Sequence, residues 1–163
     1  YGCTRYTDDP DLKNCEEWEK NISNFPFSLG KNKVHDGIDL KAPLGTPVYA
    51  MFDGMATVNY STALGNYILI KSEDTEHKIK NVNQTIWVSY GHLSKTEDIN
   101  NKFVKQGQLI GYTGNSGETA YGISAWRYHL HLTVYKGSTN KYNRVNPIDF
   151  LTTKFDKNGN KIN

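Results

Sequence analysis

Apolar residues in this chain fall into short runs of four to eight, separated by joints rich in Gly, Asn, Asp and Ser, and this spacing predicts strands. The runs lie at residues 47–52, 55–60, 66–71, 85–92, 108–112 and 128–135. The last of them, Tyr-His-Leu-His-Leu-Thr-Val-Tyr, alternates most cleanly. Asp53-Gly54 between the first two runs predicts a tight type I′ hairpin. Only residues 9–20 carry a helical signature, with Asp9 as N-cap, Pro10 at the first helical position and acidic groups near the positive end of the dipole. Residues 21–33, with Pro26 and Gly30, read as an irregular opening loop, and residues 146–151 as a closing turn against the body. The pattern predicts an all-β fold with one short N-terminal helix.

At 163 residues and 18.5 kDa the chain is sized for one domain, or one domain with a small extension. Nineteen basic and seventeen acidic residues are interspersed and leave a net charge of +2, without the basic cluster that a nucleic-acid surface needs. No apolar run approaches the roughly 20 residues needed to span a bilayer. The chain opens at Tyr1 with no Met and no charged-then-apolar leader, and is read as a mature or excised fragment. Cys3 and Cys15 are the two cysteines. A disulfide between them would stabilise the N-terminus by about 3 kcal/mol in the chain-entropy model and imply an oxidising compartment; two unrelated thiols are the alternative. Their spacing lacks the short form of a structural zinc site.

Candidate chemistry sits in three histidine clusters. In His35-Asp36-Gly37-Ile38-Asp39 an extended backbone puts His35 and Asp39 on one face, with Gly37 between them leaving room for a metal. In His129-Leu130-His131 period two puts both imidazoles on one face and Leu130, Leu132 and Val134 on the other. Two imidazoles are poor core material because each needs partners once buried, and good metal or acid–base material. In Tyr90-Gly91-His92 the histidine ends its strand and shares a face with Tyr90, Val88 and Ile86. His77 lies in a polar stretch and reads as a solvated loop residue. Each cluster alone is a weak signal, for which a satisfied structural histidine is the commoner reading. Together, on neighbouring strands, they supply a carboxylate and several imidazoles, a set that suits tetrahedral zinc with an open position for water, although copper or iron use similar ligands.

The chain resembles the lysostaphin-type (LytM-like) zinc endopeptidases of bacterial cell-wall turnover. The matching residues are His35 to Asp39, Pro43-Leu44-Gly45-Thr46-Pro47-Val48, Gly65-Asn66-Tyr67-Ile68-Leu69-Ile70, Tyr90-Gly91-His92-Leu93-Ser94, the glycine-rich stretch from Val104 to Gly117, and His129-Leu130-His131-Leu132. They keep the family's order from about Val34 to Leu151. The resemblance implies an antiparallel β-sheet with a loop-walled groove over residues 34–151, after an extension at 1–33 and before a tail at 152–163. It implies one zinc ion held by His35, Asp39 and His131. His92 and His129 would face the metal and handle the proton of the attacking water. The implied substrate is a peptide of bacterial peptidoglycan, in stem or cross-bridge. The implied setting is a monomeric domain of a larger chain on the cell-wall side, whether secreted, at the cell surface or in a phage virion.

Two departures from the family pattern stand out. Residues 118–128 intervene between the Thr-Gly-Asn-Ser segment and the His-x-His pair, which should reshape one groove wall. Leu132 and Thr133 follow the pair where the family commonly has Phe and then Glu or Arg. Tyr90, Trp126 and Tyr128 are candidates to line the groove, whereas Trp87 reads as strand-face packing. A non-catalytic wall-binding or regulatory module of the same fold is the alternative function, and histidines serving as ordinary polar core residues the alternative structure.

Overall fold

The computed structural model describes residues 5–6, 37–72, 85–117, 128–151, 154–155 and 161–162. The expected helix at 9–20, the Cys3–Cys15 pairing, His35, His77 and Trp126 lie outside the described residues. Strands are β1 (Arg5–Tyr6), β2 (Ile38–Lys41), β3 (Pro47–Tyr49), β4 (Gly54–Ser61), β5 (Gly65–Ser72) and β6 (Ile86–Thr96). They continue with β7 (Lys102–Val104), β8 (Leu109–Thr113), β9 (His129–Lys136), β10 (Arg144–Val145), β11 (Lys154–Phe155) and β12 (Lys161–Ile162). The main sheet runs β1-β2-β9-β6-β5-β4-β7, with β10 beside β9 and the β3–β8 pair joined through β6. Apart from the parallel β1–β2 contact its pairings are antiparallel, as the all-β reading expected.

Period two separates the faces of this sheet. Ile38 pairs with Leu132, Leu132 with Tyr90 and Val134 with Val88, and Ile68 and Ile70 extend the row on β5. All of these are buried in one apolar cluster that also holds Val48, Ala50, Phe52, Leu93 and Ile110. Fully burying such a side chain contributes on the order of 1.5–3 kcal/mol. The register of β9 is thereby enforced, because a one-residue slip would drive His129, His131 and Thr133 into the core and expose Leu130, Leu132 and Val134. Among the described residues no helix is long and apolar enough to cross a membrane.

Strand β6 belongs to two leaves. Ile86 to Gly91 pair with β9 and Ile86 to Tyr90 with β5, which regains the strand at Asn66–Leu93 after an irregularity; beyond His92 the strand also pairs with β8, from Leu93–Thr113 to Thr96–Gly111. The hinge is His92 itself, whose φ of 61° lies in the left-handed region. The expected hairpin at Asp53-Gly54 does not form. Neither residue has the positive φ that a type I′ turn requires. Instead β3 pairs with β8, and β4 pairs with β5 and β7. Asp53 Oδ1 accepts the Gln106 N–H at 2.6 Å, and Gly54 is already a strand residue opposite Val104. Strand β7 escaped the pattern because only Val104 of its three residues is buried.

Candidate active site

The face of the sheet opposite the core is polar around one point, and its register explains why. Asp39 on β2 pairs directly with His131 on β9, and His131 pairs on its other side with Gly91 on β6. Directly opposed residues share a face with Cβ atoms about 4.5–5.5 Å apart. The Asp39 carboxylate therefore meets the imidazole across the strands: Oδ1 lies 2.8 Å from His131 Nδ1 and 3.7 Å from His129 Nε2. All three side chains are buried. The other nitrogen of the His131 ring, Nε2, lies 3.1 Å from the Thr133 hydroxyl oxygen, two residues along the same face.

Gly37 has a different use from the one its spacing suggested. A Cβ there would collide with the Leu132 carbonyl oxygen, and would sit 2.8 Å from both His131 Nε2 and Thr133 Oγ1. The space that its missing side chain leaves is filled by the far side of the imidazole and its hydroxyl partner, rather than reserved for a metal.

His92 reaches the site by an unexpected route. Strict alternation places it with Tyr90 on the core face. The left-handed backbone turns its ring to the side of Gly91 instead, while Leu93 takes the core position. The His92 ring centroid lies 4.7 Å from that of His129 and 5.7 Å from that of His131. Non-glycine residues adopt positive φ uncommonly, and strand irregularities that re-aim a side chain concentrate beside functional sites. Two loops secure the turn. The His92 N–H donates to the Leu64 carbonyl at 2.7 Å, and His92 Nδ1 lies 2.8 Å from the Ser116 carbonyl oxygen. A carbonyl only accepts, so Nδ1 carries the proton and a neutral ring keeps its lone pair on Nε2. The Ser116 hydroxyl in turn accepts from Asn66 N–H at 3.0 Å and donates to the Leu93 carbonyl at 2.8 Å. Gly117 lies so close to Gly65 that a Cβ would collide with its backbone, which clamps the two loops together.

Asp39, His92, His129 and His131 are thus gathered on one face, and His35 lies outside the described residues. Among the described residues no three His, Cys, Asp or Glu side chains are disposed to hold a metal. Tyr90 is corrected: it lies in the core, 1% exposed, on the face away from the histidines, and its phenolic oxygen accepts the Met51 N–H at 2.8 Å. It does not line a groove. Burial holds its phenol protonated above the ordinary value of 10.0, an effect that the Met51 hydrogen bond only partly offsets. Tyr128 stands exposed beside His129 at the start of β9. Trp87 packs on the strand face, with the Lys71 ammonium 5.8 Å from its ring centroid. Thr133 and Ser116 were missed as site residues. Thr133 has the parity of His129 and His131, which is a usable signal. Ser116 acts through its backbone carbonyl, which no residue type announces.

A buried carboxylate facing two imidazoles on an antiparallel sheet, with a third imidazole beside them, is a donor set of hydrolase type. Residues 33–147 match the model of peptidase family M23, and the chain belongs to that family. It is 35% identical over 89 residues to the peptidoglycan DD-endopeptidase ShyC of Vibrio cholerae, a match covering 54% of this chain and 18% of ShyC. Its fold superposes on the catalytic domain of the antimicrobial peptidase lysostaphin from Staphylococcus simulans with a TM-score of 0.58 and 25% identity, over 81% of this chain and 96% of that domain. A zinc-containing peptidase from Vibrio cholerae superposes with a TM-score of 0.51 and 28% identity, over 68% of this chain and 28% of that one. The chain spans about a fifth of the length of several curated relatives it matches.

Proposed function

We propose that this chain is a zinc-dependent endopeptidase that hydrolyses a peptide bond of bacterial peptidoglycan on the cell-wall side. Asp39, His131 and His35 hold one zinc ion, and His92 and His129 handle protons. The observation that carries the reading is the Asp39 carboxylate, buried and facing His131 Nδ1 at 2.8 Å, with His129 and His92 ranged beside it on one face. Carboxylate oxygen and imidazole nitrogen are ligands that zinc takes, and burial of three such groups is costly unless something is bound or shared between them. Bound zinc supplies a water of pKa about 7 and polarises the scissile carbonyl. His92, with Nδ1–H held by the Ser116 carbonyl, presents the Nε2 lone pair that takes a proton from the attacking water and returns it to the departing amine. His129, whose Nε2 lies 3.7 Å from Asp39 Oδ1, stands beside the proposed ligands, and its role in this reading is to stabilise the charge that builds on the substrate carbonyl oxygen. The similarity to ShyC, a peptidoglycan DD-endopeptidase, supports a wall peptide as substrate.

The test is release of soluble peptides from purified peptidoglycans of differing cross-bridge, with protein as isolated, with chelator, and with chelator followed by zinc. Zinc-restorable release, lost in His92→Ala with zinc still bound, is the expected result. No release from any wall by protein carrying a full equivalent of zinc would overturn the enzyme reading and leave a wall-binding module.

A further inference from the structure

We infer that Thr133 is a positioning residue for His131: its hydroxyl grips Nε2 of that ring and so presents Nδ1, beside Asp39, to the metal. This rests on the zinc reading above, and it concerns a position where the chain departs from the family pattern.

The geometry is one-sided in a useful way. His131 Nδ1 points at Asp39 Oδ1 and Nε2 at Thr133 Oγ1, so the two nitrogens have distinct partners at opposite ends of the ring. A metal ligand must offer a lone pair. With Nδ1 as ligand, the neutral ring carries its proton on Nε2, and that N–H is buried and needs an acceptor. Thr133 Oγ1 is that acceptor, 2% exposed and 3.1 Å away. Its hydroxyl is not diverted elsewhere by the neighbouring strand: Ser89 pairs with Thr133 across β6 and β9, and its buried Oγ makes no hydrogen bond among the described residues. Gly37 closes the arrangement from β2, because any Cβ there would press on both Nε2 and Oγ1.

The hydroxyl also does what a carboxylate could not. Without metal, a proton shared between Nδ1 and Asp39 Oδ1 leaves Nε2 as the lone-pair nitrogen of a neutral ring, and the threonine then donates to it. With metal the same hydroxyl accepts. Thr133 therefore satisfies the ring in both states without moving, whereas an acceptor-only carboxylate satisfies just the metal-bound one.

Two measurements test this. The first is zinc affinity of wild type, Thr133→Val and Thr133→Ser, by competition with a chromogenic chelator at a single pH. Valine keeps the shape and removes the hydroxyl; serine keeps the hydroxyl. Zinc binding should weaken about 10–100-fold in Thr133→Val and return to within about threefold of wild type in Thr133→Ser. Equal affinity in wild type and Thr133→Val overturns the inference while leaving the zinc reading intact, and failure of wild type to bind zinc overturns both. The second measurement needs no variant: nitrogen-15 spectra of the zinc-loaded wild type should show His131 protonated at Nε2, with that proton slow to exchange. A proton on Nδ1 instead overturns the inference.

Discussion

His92 offers a prediction in which stability reports on the geometry that aims the ring. Its φ of 61° places an L-residue in the left-handed region, which costs roughly 1–2 kcal/mol relative to right-handed backbone. Glycine avoids that cost but loses about 0.4–1 kcal/mol through its freer unfolded chain. Compare His92→Gly with His92→Ala. Both variants lose the Nδ1–H bond to the Ser116 carbonyl and the ring contacts, so those losses cancel between them. The remainder favours glycine by about 0.5–1 kcal/mol, which for a chain of this size is about 1–4 °C in melting temperature. Urea and thermal unfolding of metal-free protein measure the difference directly. His92→Ala equal in stability to His92→Gly, or exceeding it, would refute the left-handed turn, and with it the account of how His92 leaves the core face.

Two further predictions follow from single contacts. Gly37→Ala wedges a methyl against the Leu132 carbonyl, His131 Nε2 and Thr133 Oγ1. It should destabilise by about 1–3 kcal/mol and weaken zinc binding, and a variant with wild-type unfolding midpoint and zinc affinity would contradict the packing. Tyr90→Phe strands the Met51 N–H and should cost about 1–2 kcal/mol at neutral pH. Because burial raises the Tyr90 pKa above 10.0, its contribution is complete below pH 10 and drains as pH climbs beyond it. The stability gap between wild type and Tyr90→Phe should therefore shrink only in that alkaline range; a gap that instead narrows between pH 6 and 9 would argue against the assignment.

Much of this protein was legible because period two is a local property. Alternation within 128–135 was enough to put His129 and His131 on one face and Leu130, Leu132 and Val134 on the other, and burial of the leucines and valine keeps that register. The place of Asp39 on the histidine face follows from the same parity, once β2 is an extended strand. What no run of residues could state is which strand lies beside which. Asp53-Gly54 looked like a hairpin, yet β3 found its partner in β8, more than fifty residues away, because the apolar faces of Val48 and Ile110 are buried together there. His92 is the sharper case. Parity assigned it to the core beside Tyr90, and a single left-handed residue, held by backbone groups of Leu64 and Ser116, reversed the side on which its ring stands. Composition and alternation determined the strands, their faces and the kinds of ligand available. The tertiary structure alone decided the side of His92 and the contact of Asp39 with His131, since both depend on groups that distant segments bring together.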